Sequence, residues 1–383
     1  MSNSQFSPYQ NTQPYAQQAR QPRAIVLVNN IPALWEEIEI TTTTFYNADN
    51  YHVQLPLNGQ NSNLNLNYWA TTQNFTIQIY VGFPSNPYNY STSDLDLIIE
   101  GDCDELEVDP LSARVMLSGR DLTSRFIDTK TTNKYPNQTS SQIAAIFAAE
   151  HGLMTNITPT FTPVGSYYNS QNVLMSKVTT EWDLLCYLAN QENYFVYVKQ
   201  NVLYFNPKTY DLSNVYTLQY QAPTPSNASP TFNGMRLGLF RSTTLSSDVS
   251  VTIKIPYNIN TGKADFVRAS STHRSRAYLH NVPAPSGKVQ KYSFVMPGLT
   301  KQQAQQKANQ ILQDITLHEV RLTAYIPGNN ILQKNGAVQL KGTNTAYDQL
   351  YYIEQIVRRI NVPEGYNMEI SAKNQSTDTE ITL

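Results

Sequence analysis

The sequence predicts a mainly β protein of sandwich or barrel type, read as two related antiparallel β-barrels with an α+β insert domain and a disordered N-terminal arm. Three observations carry that reading. Apolar and polar residues alternate in many short runs, as at Phe75, Ile77, Ile79 and Val81 and again at Val249, Val251, Ile253 and Ile255, the period-two pattern of a half-buried strand. Helical periodicity is confined to segments opening near Thr139, Thr180 and Thr300. At 383 residues the chain exceeds what one ordinary core fills, so several domains are needed.

Residues 1–23 are rich in Gln, Asn, Ser and Pro with almost no aliphatic residues, and cannot offset the entropy of ordering by themselves. They read as a flexible arm, with Phe6, Tyr9, Tyr15 and Arg23 available for a neighbour. The arm has neither the basic nor the apolar region of a secretory signal. No stretch of the chain approaches the ~18 apolar residues of a membrane span.

The first barrel is expected over 24–112. Ala24 to Val28 forms an apolar run, and short strands at Leu97–Glu100, Leu106–Val108 and Arg114–Leu117 are separated by Gly-Asp and Asp-Pro turn chemistry. An α+β domain follows at 113–220. Thr139 or Ser140 caps a helix bearing Ile143, Ala144, Ile146 and Phe147, with Gly152 as its stop. Thr180 opens a second helix with Asp183 three residues on, and Tyr194–Val198 with Val202–Phe205 makes a hairpin.

The Pro/Ser/Asn-rich stretch Gln221–Pro230 reads as a linker. Beyond it, 221–383 is expected to form the second barrel with a small inserted subdomain at about 257–290. A helix from Thr300 to Ile315 should lay Ala304, Ala308, Ile311 and Leu312 on that barrel. LIIEGDCDELEVD (97–109) and YYIEQIVRRINVP (351–363) share an Ile-Glu and following aliphatic spacing, an echo that duplication of one barrel or chance in a β-rich chain would each produce.

Formal net charge is −2 and the isoelectric point about 6.2, which gives no sign of a nucleic-acid or anionic-membrane surface. Charged residues make up 15% of the chain, against roughly 25% in ordinary globular proteins. The difference is filled by polar, uncharged residues and 26 tyrosines, which suits wide contacts with copies or partners. A carbohydrate-binding surface has the same composition. Cys103 and Cys186 lie far apart in sequence and read as free thiols.

Chemistry-bearing motifs are sparse. His52, His151, His273, His280 and His318 show no metal-ligand spacing, and no nucleophile elbow or phosphate-cradling glycine loop is present. The run Asp94, Asp96, Glu100, Asp102, Asp104, Glu105, Glu107 and Asp109 could supply a glycosidase pair or Ca²⁺ ligands. It reads more simply as a solvated edge that repels strand addition. Asp121 reads as a cap or turn partner of the segment after it, or as an ion-pair partner of Arg120. The residues therefore assign no catalytic, cofactor or metal ligand.

One segment is specific. LSGRDLTSRFIDTKTTNKYPNQTSSQIAAIFAAEHGL (117–153) resembles the baseplate hub proteins of contractile-tailed phages, the late control protein D and Mu-like hub family. The shared positions are Ser118, Gly119, Arg120 and Asp121, then Asp128 and Lys130, Asn137 and Thr139, and His151 and Gly152. IYVGFPSNPYNYSTSDL (79–95) and VRLTAYIPGNNILQKNGAVQLKG (320–342) are similar to ends of the family's two barrels. Lys334-Asn335-Gly336 departs from the family's usual turn and its acid.

The resemblance implies a non-enzymatic structural subunit without cofactors, located in the virion at the tail baseplate and assembled in the host cytoplasm. It implies a homotrimer whose two barrels per chain adapt a hexameric tail tube to a trimeric central spike, beside other baseplate proteins. It implies neither membrane insertion nor sequence-specific nucleic-acid binding, and leaves a central channel for the genome. The rival readings are a tail-associated cell-wall hydrolase and a carbohydrate-binding module.

Overall fold

A computed structural model describes residues 21–133, 135, 137–161, 179–225, 228–241, 249–256, 258, 260–271, 290–296, 300–316, 320–345 and 347–374. The arm expected at 1–23 lies outside these residues up to position 20.

The first lobe contains β1 (Arg23–Val28), β2 (Ile31–Ala33), β3 (Glu37–Thr43), β4 (Asn50–Pro56), the short helix α1 (Leu66–Thr71), β5 (Thr76–Gly82), β6 (Asp96–Asp109) and β7 (Arg114–Asp121). β1 and β2 close on a two-residue turn, Asn29-Asn30, with φ of 48° and 64°. That left-handed pair is the turn whose twist matches antiparallel strands, and Asn tolerates it. The strands lie in the order β2-β1-β5-β6-β7-β4-β3.

β6 corrects two sequence expectations. It is one strand of 14 residues, not two short strands around a Gly101-Asp102 turn. A register shift between Cys103 and Glu105 lets it run on past the irregularity. It is also an interior strand, flanked by β5 and β7. The acidic run is therefore not an edge guarding against strand addition.

The middle unit comprises α2 (Thr123–Asp128), β8 (Lys130–Thr131), α3 (Ser140–Glu150), β9 (Met154–Ile157), β10 (Thr179–Thr180), α4 (Glu181–Glu192), β11 (Tyr194–Lys199) and β12 (Val202–Pro207). Thr139 and Gln142 cap α3 reciprocally: Thr139 Oγ1 accepts from the Gln142 amide, and the Gln142 side chain accepts from the Thr139 amide. Thr180 accepts from the Asp183 amide to start α4, and left-handed Asn193 ends it. Phe126, Phe147, Leu185 and Phe205 share its core.

The second lobe contains β13 (Tyr216–Gln221), β14 (Thr231–Phe232) and β15 (Arg236–Arg241). A separate sheet follows, β16 (Val249–Ile255), β17 (Asp265–Ser271) and β18 (Gln290–Val295), with helix α5 (Lys301–Thr316). The lobe then resumes with β19 (Val320–Pro327), β20 (Ala337–Lys341), β21 (Leu350–Asn361) and β22 (Gly365–Lys373). The stretch read as a linker is the loop of the β13–β14 hairpin, since Gln221 pairs with Thr231. The expected docking of the last helix on the barrel is also corrected. Ala304 and Ala308 are fully buried against Val251, Ile253 and Val267 of the separate sheet.

The strand pairings of the second lobe repeat those of the first. β14 pairs β13, β13 pairs β20, and the ladder continues through β21, β22 and β19 to β15. Taken in chain order, this is the arrangement of β1 to β7. The difference is orientation: β13 and β20 are parallel, whereas β1 and β5 are antiparallel. The echoed segments fall on the equivalent strands β6 and β21. The sequence pattern sets Asp109 against Pro363, while the hairpin ends set it against Asn361, because Asp109 faces Arg114 and Asn361 faces Gly365. A slip of that size keeps each side chain on its face.

β21 also pairs with β3, from Gln355↔Thr43 to Asn361↔Glu37. This ladder joins the lobes into one 14-stranded sheet, and among the described residues neither lobe closes into a barrel. One apolar core runs through both, with Val26, Ile79 and Leu117 in the same cluster as Leu322, Ile353 and Ile370.

Candidate functional site

The motif residues gather where the first lobe passes into the middle unit. Gly119 lies on β7 opposite Tyr51 of β4. A Cβ there would stand 2.2 Å from the Asp102 carbonyl oxygen and 2.5 Å from Tyr51 Oη. The position takes glycine because the tyrosine crosses directly over it. Burial, then Cys103 and the Asp104 and Asp102 carboxylates, raise the Tyr51 hydroxyl well above its ordinary range.

Arg120 holds two carboxylates at once. Its Nε and Nη2 donate to Asp104 at 2.7 Å each, and Nη2 and Nη1 donate to Asp128 at 2.9 and 3.3 Å. Arg125 donates to both oxygens of Asp102, at 2.8 and 3.1 Å. The acidic run is thus partly neutralised by arginines that follow it in sequence, and the two forks fasten α2 to β6. Asp121 does not pair with Arg120. It is 3% exposed, and its Oδ1 accepts from the Thr123 amide at the start of α2.

The remaining motif residues lie on β7 and along the middle unit. Ser118 faces Glu105 across the β6–β7 ladder. Lys130 pairs with Thr180 between β8 and β10. Asn137 has φ of 60° in the turn before α3, Thr139 caps that helix, and Gly152 has φ of 71° after it. His151 Nε2 lies 2.6 Å from Glu181 Oε2, joining the end of α3 to the start of α4. Burial raises the Glu181 carboxyl above its usual range, and His151 opposes that rise. Among the described residues no three His, Cys, Asp or Glu side chains converge as metal ligands. Cys103 and Cys186 are unbridged.

A second constellation lies where the two lobes and the middle unit meet. A cleft of about 480 Å³ is lined by Thr42, Asp49 and Asp96 of the first lobe, Lys199 and Gln200 of the β11–β12 turn, and Asn330, Gln333, Lys334 and Arg358 of the second lobe. Lys334 Nζ lies 3.0 Å from Asp49 Oδ2, as a charge contact without hydrogen-bond alignment. It also sits 5.2 Å from the Tyr197 ring centre. The Asp49 carbonyl accepts from the Asp121 amide at 2.9 Å.

Arg358 is 4% exposed; its Nη1 donates to Thr42 Oγ1 at 3.1 Å and its Nη2 to the Leu332 carbonyl at 2.5 Å. Asn330 Nδ2 donates to Asp96 Oδ2 at 2.8 Å, and Lys199 Nζ donates to Gln333 Oε1. The sequence did carry one sign of this cleft. On β21 the inward positions read Ile356, Arg358, Ile360, which places a guanidinium on an apolar face.

No protein-family model matches the sequence, and no curated protein matches it. Solved structures do. A tail protein from Neisseria meningitidis is 14% identical with a TM-score of 0.61, covering 92% of this chain and 96% of that one. The 43 kDa tail protein of prophage MuSo2 from Shewanella oneidensis is 13% identical with a TM-score of 0.62, covering 93% and 99%. Prophage tail protein gp18 from Listeria monocytogenes is 13% identical with a TM-score of 0.53, covering 92% and 94%. At these identities the likeness is one of fold: over nearly its whole length, this chain has the fold of phage and prophage tail proteins.

Proposed function

We propose that this chain is a structural hub subunit of the baseplate of a contractile phage tail. In this reading it is a homotrimer that joins a hexameric tail tube to a trimeric central spike, among other baseplate proteins in the virion. The observation that carries the proposal is the strand order that occurs twice in one polypeptide. Three such chains offer six similar lobes to a six-fold partner while keeping three-fold symmetry for another. The fold shared with tail proteins supports the setting. The arginine forks on Asp102 and Asp104 favour a structural over a hydrolytic use of the acidic run. Of the ten motif positions, Gly119, Arg120, Asp121 and Asp128 then serve to set the middle unit against the first lobe, and Lys130, Asn137, Thr139, His151 and Gly152 shape the middle unit itself.

Electron cryomicroscopy of the assembled tail tests this. The expected map contains three copies, with first and second lobes alternating around the axis at one radius. A copy number not divisible by three, or lobes at different radii, would end the proposal.

A further inference from the structure

We propose that the cleft between the lobes and the β11–β12 turn is a binding site for an oxyanion, a phosphate or a carboxylate, held between Lys199 and Arg358. The cleft is lined by three cationic side chains and two carboxylates. Both carboxylates are already engaged, Asp49 by Lys334 and Asp96 by the Asn330 amide. The neutral amide leaves the charge of Asp96 in place, so the three cations outnumber the carboxylates by one and the cavity keeps an excess positive charge.

Arg358 makes the point sharpest. The residue is 4% exposed, and its Nε has no hydrogen-bond partner among the described residues. A buried charged donor left without an acceptor is a costly arrangement, and negative charge in the adjoining cleft would offset part of that cost. Lys199 stands in the same field: burial, then Lys334 and Arg358, lower its pKa, and the Asp96 carboxylate only partly opposes them. Its hydrogen-bond acceptor, Gln333 Oε1, is neutral. An oxyanion accepting from the Lys199 ammonium beside the guanidinium would reduce the repulsion among the three cations. The volume of about 480 Å³ exceeds that of a lone phosphate or carboxylate, so there is room for water or for the group that carries the anion. A cation meets the opposite balance and is disfavoured.

The test is thermal unfolding of the full chain at neutral pH in sodium phosphate and in sodium acetate, each against sodium chloride of equal ionic strength. Phosphate also stabilises proteins by exclusion from their surface, so the diagnostic signal is a saturable rise, which specific binding to the folded state produces. The expected result is such a rise with at least one of the two anions. It should need about tenfold more anion in Lys199→Gln, and remain in Lys199→Arg, which keeps the charge. The anion that acts identifies the ligand as phosphate-like or carboxylate-like. Lys199→Glu should bring its own carboxylate, melt no lower than wild type in low salt, and lose the anion response.

Responses to both anions no greater than to chloride, or undiminished in Lys199→Gln, overturn the proposal. So does loss in Lys199→Arg as complete as in Lys199→Gln. If Lys199→Gln does not fold, the Lys199→Glu comparison decides, and a fall in its low-salt melting temperature below wild type counts against the site.

Discussion

Lys334 and Asp49, separated by 3.0 Å and each less than a tenth exposed, tie the second lobe to the first. Removing one member of a buried ion pair strands the other charge away from water. Lys334→Met should therefore lower unfolding stability by about 3 to 5 kcal/mol, read from urea denaturation. Asp49→Asn combined with Lys334→Met should restore part of the loss, since neither charge is then left alone.

The neighbouring Asp121 should make stability pH-dependent. Burial, then the Asp49 carboxylate, raise its pKa from 3.8 to about 7, while Lys334 pulls the other way. Between those values the folded chain holds a proton that the unfolded chain has released. Its contribution to stability therefore falls as pH rises from about 4 toward 7, and levels off above that. Asp121→Asn should flatten this part of the profile in urea midpoints taken across the range.

Two glycines of the motif segment should respond differently to alanine. Gly119→Ala forces a methyl to 2.2 Å from a backbone oxygen and should cost about 3 kcal/mol. Gly152 has nothing within 4 Å of the added carbon but has φ of 71°, so Gly152→Ala should cost only about 1 kcal/mol of backbone strain. Chemical denaturation of the two variants side by side checks the order.

Arg120→Lys keeps the charge but loses the fork that reaches Asp104 and Asp128 together. With Arg120 a quarter exposed, solvent screening keeps the loss to about 1 kcal/mol. It should shrink further in high salt. Faster hydrogen exchange confined to α2 and its junction with β6 is the expected local sign.

For α5, Ala308→Leu should overfill the contact with β16 and β17 and cost about 1 to 3 kcal/mol. Hydrogen exchange should rise in β16, β17 and α5 while β3 and β21 stay protected. Equal loss in both places would mean that the inserted sheet and the lobes share one cooperative unit.

What the sequence made legible was local. The caps at Thr139 and Thr180 and the β11–β12 hairpin follow from residues within a few positions of each other, and each forms as its pattern demands. Asp121 likewise turns the chain into α2 through its near neighbour Thr123. The misreadings came where distant partners decide the outcome. Gly101-Asp102 looks like a turn, yet β5 and β7 on either side hold it extended. The apolar stripe of α5 was plain, but periodicity gives a face and not its partner, and β16 and β17 claimed it. The charged cleft draws on Asp49, Lys199, Lys334 and Arg358, whose proximity depends on three folded units at once. Only the inward phase of Arg358 hinted at it.

The ladder between β3 and β21 has a mechanical consequence. Backbone hydrogen bonds from Thr43 to Glu37 lock the lobes of one chain at a fixed angle, and the continuous core beneath resists their twisting apart. The two lobes of a chain would therefore turn and tilt as one body, and a load applied to either would pass to the other through β3 and β21.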